Sequence, residues 1–118
     1  MAKKILVVDD DETISKLLED YLSGQGLQVQ RAQDGVQALE KAKKMSPDLI
    51  VLDVIMPNMD GYTFLREIKK DAKLRGTAVI VLSAREMMRD MFVQEGVKDF
   101  VTKPCNPEEL YRVISKYL

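Results

Sequence analysis

The sequence has no histidine and a single cysteine among its 118 residues. Without imidazole, histidine-based acid–base catalysis and histidine metal ligation are both excluded. One thiol, Cys105, cannot form an intrachain disulfide, which fits a reducing, cytoplasmic setting. No apolar run approaches the ~18 residues of a membrane span. The Met-Ala-Lys-Lys start lacks the apolar core of a secretory signal. Neither sign of charge dominates: 18 basic residues face 19 acidic ones, for a net charge of −1. With no basic excess or basic run, no direct binding of nucleic acid or membrane is expected. Lys3-Lys4 and Lys43-Lys44 read as solvated ends of elements. Repeats, low-complexity segments and linkers are also missing. What remains is 46% hydrophobic and 31% charged, an ordinary globular composition. The length suits one domain with a real core, so residues 1–118 are read as one domain.

The most informative stretch is Leu49-Ile-Val-Leu-Asp53-Val-Ile-Met-Pro57-Asn-Met-Asp60-Gly61. Four apolar residues end in a carboxylate. Such a run before turn residues reads as a fully buried strand. Pro57, Asn58 and Gly61 make the turn, and Asp60 is placed to cap a helix. Asp53 then sits at the carboxyl end of a buried strand, where a charge is costly unless something uses or compensates it.

The rest of the chain alternates in the same way. Lys4–Val8 is a buried strand, followed at once by Asp9-Asp10-Asp11-Glu12-Thr13. Ile14, Leu17, Leu18, Tyr21 and Leu22 recur at helical spacing, and Gly24 and Gly26 stop that helix. Leu27–Gln30 alternates apolar and polar, which predicts an edge strand with one protected face. Asp34-Gly35 opens a helix with Val36, Leu39 and Ala42 inward, ended by Ser46-Pro47. After the Asp53 strand, a helix from Gly61 to Lys70 buries Phe64, Leu65 and Ile68. Ala78–Ser83 is the fourth strand. Glu86 to Glu95 reads as a shorter helix with Met88, Met91 and Phe92 on one face and Gly96 as its stop. Phe100–Thr102 is the fifth strand. Asn106-Pro107-Glu108-Glu109 is a strong helix start, and Leu110, Val113, Ile114, Tyr117 and Leu118 mark the inner face that follows.

Five strands alternating with five helices predict an α/β fold: a doubly wound parallel sheet with helices on both faces. Such sheets bind ligands beyond the carboxyl ends of their strands. The first strand ends in Asp9 and Asp10, the third in Asp53, the fourth in Ser83, the fifth in Lys103. A strand order of 2-1-3-4-5 gathers these ends into one crevice. Three carboxylates there repel one another unless a cation sits among them. Oxygen-only ligands suit a hard ion such as Mg²⁺, or Mn²⁺ in its place. Mg²⁺ commonly shares its shell between carboxylates and a phosphate. Phosphoryl transfer needs mainly positioning and neutralisation, which Lys103, Ser83 and the ion can supply. Asp53 can act as a carboxylate nucleophile. Asp11 reads only as a helix cap.

Val8-Asp9-Asp10, the stretch from Leu52-Asp53 through Pro57 to Gly61, Leu82-Ser83-Ala84 and Thr102-Lys103-Pro104 together resemble the receiver domain of two-component response regulators, chemotaxis regulators among them. The likeness covers essentially the whole chain. It implies a flavodoxin-like fold and a phosphorylation-activated signalling switch rather than an enzyme with an external substrate. It implies that Asp53 accepts phosphate from a sensor histidine kinase or phosphotransfer protein. Asp10 and Asp53 would ligate Mg²⁺ directly, Asp9 through water, with the backbone carbonyl of Ile55 completing the set. Ser83 and Phe100 would be the switch pair. Lys103 would bond the phosphate, with Lys103-Pro104 cis. A downstream protein would read the face made by the fourth helix, fifth strand and fifth helix. Three departures stand out. The interval from Ser83 to Gly96 is short for the family, so the fourth helix is expected to be short or displaced. Phe100 lacks a hydroxyl. Cys105 stands where a larger apolar or aromatic residue is common, and reads as a buried or half-buried structural thiol.

The same residues admit rival readings. Asp9-Asp10-Asp11-Glu12-Thr13 also matches the start of haloacid-dehalogenase-like phosphatases, with Asp9 as nucleophile and Asp11 as acid. The chain is short for that fold, and Asp53 would be unexplained. A flavodoxin-type cofactor module would need hydroxyls and backbone N–H groups after the first strand, where this chain has three acids. A degenerate interaction domain would have no need of intact acids, Ser83 and Lys103.

Overall fold

The computed structural model describes residues 2–53 and 60–118. The order is β1 (Lys4–Val8), α1 (Glu12–Gly24), β2 (Gln28–Ala32), α2 (Gly35–Met45), β3 (Leu49–Leu52), α3 (Gly61–Lys70), β4 (Ala78–Ser83), α4 (Arg89–Gln94), β5 (Asp99–Thr102) and α5 (Pro107–Ser115). A 3-10 turn over Glu86–Met88 precedes α4. The five strands pair in parallel in the order β2-β1-β3-β4-β5, as the strand-end argument requires.

Strand periodicity divides the core into two layers. Leu6, Val8, Ile50, Leu52, Val79 and Val81 point to one face, where Ala38, Phe64, Ile68 and Phe92 from α2, α3 and α4 cover them. Ile5, Val7, Leu49, Val51, Ile80 and Leu82 point to the other, against Leu18 and Leu22 of α1 and Leu110 and Ile114 of α5. Every residue of β3 and β4 is buried, which is why those strands read as unbroken apolar runs. Each large side chain so buried stabilises the fold by roughly 1.5–3 kcal/mol.

The caps follow the sequence. Asp11, Asp34, Asp60 and Asn106 each accept a hydrogen bond from a backbone N–H in the first turn of α1, α2, α3 and α5. Asn106 also donates its side-chain amide to Glu109 at 3.0 Å, closing a capping box. Gly26 and Gly96 adopt φ of 89° and 90°, the left-handed region that ends α1 and α4.

Four local expectations are corrected. The buried stripe of α1 is Ser15, Leu18 and Leu22, whereas Ile14 and Leu17 are 39% and 55% exposed. Ser15 tolerates burial because its hydroxyl donates to Glu12 O and accepts from Arg31. On α2, Val36 is exposed, and Ala38, Ala42 and Met45 face the core. Strand β2 starts one residue later than expected and extends to Ala32, because parallel pairing with β1 continues until Val8 meets the buried Ala32. Helix α5 ends at Ser115, so Tyr117 and the exposed Leu118 lie beyond it. The fourth helix is short, as expected: six residues, with Phe92 fully buried and Met91 38% exposed. The turn at Pro57-Asn58 falls outside the described residues. Among the described residues no helix is long and apolar enough to cross a membrane.

Candidate functional site

The sheet ladder itself aims the site. Asp9 N–H donates to Ala32 O, Asp53 N–H to Val8 O and Lys103 N–H to Ser83 O, at 3.0, 2.9 and 2.9 Å. Each bond carries the pairing one residue past its strand, so Asp9, Asp53 and Lys103 are fixed by backbone geometry at the carboxyl edge. Ser83 closes β4 opposite Thr102, one residue before Lys103.

Three carboxylates meet there. Oxygens of Asp9, Asp10 and Asp53 lie within 4.8 Å of one another. Asp9 is buried, Asp53 is intermediate and Asp10 is exposed. The Lys103 ammonium bridges two of them, 3.3 Å from Asp9 Oδ2 and 3.4 Å from Asp53 Oδ2. The second oxygen of Asp9 accepts the Asp11 N–H at 2.9 Å. Burial raises the Asp9 carboxyl pKa. The Asp11 N–H opposes that rise, the Asp53 charge adds to it, and Lys103 opposes it, with a net upward shift. Burial alone would pull the Lys103 ammonium down, yet the charges of Asp53 and Asp9 outweigh it and its pKa is raised. The pocket is thus crowded with negative charge that one ammonium compensates only in part. An all-oxygen donor set of this kind fits a hard divalent ion.

The other sequence-derived residues fall as follows. Ser83 is buried, and its Oγ accepts the Arg85 N–H at 3.1 Å. A hydroxyl that accepts in this way keeps its own proton to donate. Phe100 is buried in the layer with Phe64 and Phe92. Its ring lies inside. Lys103-Pro104 is cis. Asp11 caps α1 through Ile14 N–H. Cys105 is half-buried, as expected. The Ile55 carbonyl lies outside the described residues.

Sequence reasoning missed one feature. A groove of about 370 Å³ adjoins the acidic pocket, lined by Ile14, Leu17, Leu82, Lys103, Pro104 and Cys105 among others. It is mostly apolar, and Ile14 and Leu17, apolar yet uncovered, form part of its wall. Helical spacing alone could not separate these two from the stripe beside them.

A family model described as the response regulator receiver domain matches residues 5–115. The chain belongs to the response regulator receiver domain family. Receiver domains of this family act in two-component signalling. The chain is similar to the chemotaxis protein CheY of Bacillus subtilis, 40% identical over 120 residues, covering 100% of this chain and 99% of that protein. Other, longer relatives are matched over about half of their own length. Among solved structures, the chemotaxis response regulator CheY4 of Vibrio cholerae superposes with a TM-score of 0.94 at 30% identity, over the full length of both chains. The receiver domain of sensor histidine kinase PA1611 from Pseudomonas aeruginosa superposes with a TM-score of 0.89 at 30% identity, over 99% of this chain and 98% of that one. That structure is described with a magnesium ion coordinated in its active-site cleft.

Proposed function

We propose that this receiver is a phosphorylation-driven switch in which Asp53 takes a phosphoryl group from the phosphohistidine of a sensor histidine kinase or phosphotransfer protein. The observation that carries the reading is the Lys103 ammonium lying 3.3 and 3.4 Å from the carboxylates of Asp9 and Asp53 in a pocket of three acids. An Asp53 oxygen attacks phosphorus. A P–O bond forms as the P–N bond to the donor imidazole breaks, and the electron pair leaves with the imidazole, which takes a proton from solvent. Lys103 is held where it can follow charge onto the phosphoryl oxygens, and Ser83 can donate its O–H to one of them. Asp10 and Asp53 would hold Mg²⁺, with Asp9 acting through water and Ile55 through its carbonyl. Bound there, the ion supplies charge neutralisation on the transferring group. One oxygen of Asp9 is tied to the Asp11 N–H, which suits an orienting role better than a nucleophilic one. Asp11 is engaged as a helix cap. Both facts weigh against the phosphatase reading.

The apolar groove beside the pocket suits the donor protein, since contact there would set a phosphohistidine beside Asp53. The output is read on α4, β5 and α5, where Met91 and Val93 of α4 are exposed and Met87 is exposed in the turn just before it. Ser83 and Phe100 couple the two as a population shift. The test is phosphoryl uptake from a small acyl phosphate with Mg²⁺, followed by intact mass. One phosphate adduct is expected in the wild type and none in Asp53→Asn. An adduct that persists in the variant overturns the assignment.

A further inference from the structure

The segment between Ser83 and α4 carries a polar cluster that the phosphoacceptor reading leaves unused. Arg89 donates through Nε and Nη2 to the two carboxylate oxygens of Glu86, at 2.7 and 3.2 Å. The Thr102 hydroxyl donates to Glu86 Oε2. The Arg89 guanidinium also lies over the Phe100 ring, 5.0 Å from its centroid. One arginine therefore joins the segment after β4 to the switch aromatic on β5, and one glutamate joins it to the residue just before Lys103. The segment is otherwise lightly held. The 3-10 turn has no buried residue and no side-chain cap, and α4 has no side-chain cap either. Burial of Phe92 and the contact of Tyr62 with Glu95 at 2.5 Å anchor the far end. At the near end, the Arg85 N–H bond to Ser83 Oγ and the half-buried Met88 hold the segment to β4 and the core, and Glu86 and Arg89 tie it to β5.

We propose that Glu86 and Arg89, acting through Thr102 and Phe100, are positioning residues that hold the Ser83 segment against β5 with Phe100 inside. They set how many unphosphorylated molecules already stand in the phosphoryl-accepting arrangement. The proposal rests on Asp53 being the acceptor. A contact that favours one of two states raises that state's population, and by linkage phosphorylation favours the same contact. The ion pair is exposed, so its contribution is modest and sensitive to salt. The cation–π contact with Phe100 adds to it.

The experiment compares wild type with Arg89→Met, Thr102→Val and Glu86→Gln, using two readouts. The first is the initial rate of phosphoryl uptake from a small acyl phosphate with Mg²⁺. Arg89→Met and Thr102→Val should each slow uptake about two- to five-fold, a range set by the modest size of exposed ion-pair and cation–π contacts. Glu86→Gln and Thr102→Val should combine non-additively, because they share one hydrogen bond. The ratio of wild type to Arg89→Met should narrow as salt rises and screens the exposed ion pair. The second readout is the ¹⁹F spectrum of protein labelled at phenylalanine, in which the Phe100 signal should shift toward solvent in Arg89→Met while the Phe64 signal stays. Unchanged uptake rates, or an unmoved Phe100 signal, overturn the proposal. If the wild type takes up no phosphate, the acceptor reading fails instead, and the Phe100 signal still decides whether the cluster holds the ring.

Discussion

Replacing Lys103 with methionine removes the ammonium that lies between Asp9 and Asp53 and keeps most of its apolar stem. Each contact, at 3.3 and 3.4 Å, has a Coulomb energy of about 4–5 kcal/mol at an effective dielectric near 20. The net value is smaller, because the ammonium gives up water to reach the pocket. Its side chain stays 23% exposed, while those of Asp9 and Asp53 are 3% and 14% exposed. Breaking a buried pair costs about 3–5 kcal/mol, and partial exposure brings this to about 2–3 kcal/mol. For a domain of this size that is a fall of roughly 10 °C in Tm. The assay is urea unfolding of both proteins at neutral pH without divalent ions. Acid supplies an internal control. The Asp9 pKa is raised above its ordinary 3.8, so Asp9 loses its charge early as pH falls, and part of the Lys103 attraction goes with it. The gap between wild type and variant should therefore shrink as pH falls through the Asp9 transition. On the alkaline side the Lys103 contribution is fully present below 10.5 and is lost as pH rises through its raised pKa. A Lys103→Met protein as stable as wild type at neutral pH, or a gap that does not shrink in acid, would refute the reasoning.

Asp10→Asn should weaken Mg²⁺ binding in titration calorimetry and raise metal-free stability slightly, because a like charge leaves the cluster; unchanged Mg²⁺ affinity would remove Asp10 from the ligand set. A phosphoryl mimic with Mg²⁺ should shift NMR signals in α4, β5 and α5, and shifts confined to α1 and α2 would contradict the output face. The likeness to receiver domains implies that the residues two after Asp53 and two after Ser83, here Ile55 and Arg85, flank the path of attacking water; phospho-Asp53 should be long-lived, because neither side chain can accept a proton from that water. The double change Ile55→Asn, Arg85→Glu should shorten the lifetime about ten-fold if it lowers the barrier by ~1.4 kcal/mol, and an equal or longer lifetime would show that these positions do not gate the water.

Much of this was legible in the chain. Apolar runs that end abruptly in acids revealed β1 and β3, and the apolar–polar alternation of the second strand placed it at the edge of the sheet. From there, Asp9, Asp10, Asp53, Ser83 and Lys103 had to share one edge. Helix caps were legible because they are local: Asp60 and Asn106 lie three residues from the N–H groups they accept. Which apolar stripe of a helix faces inward was not legible. Ile14 and Leu17 match the helical period as well as Leu18 and Leu22 do, and only packing against β1, β3 and α5 chooses between them. The contacts of Glu86 with Thr102 and of Arg89 with Phe100 were equally hidden, since they join residues 16 and 11 positions apart on different elements. The state of Phe100 belongs to the same class. Its place at the switch position follows from the likeness to receiver domains, but its burial follows from the layer it forms with Phe64 and Phe92.

The central claim is that the phosphoryl group resides on Asp53. Acyl phosphates are reduced by borohydride, which converts the modified aspartate to homoserine. The direct measurement is peptide mass mapping after phosphorylation with a small acyl phosphate and Mg²⁺, borohydride reduction and digestion. Homoserine at position 53, and at none of the other acids of the pocket, is the expected result. Homoserine at Asp9 or Asp10, with Asp53 unmodified, would contradict it.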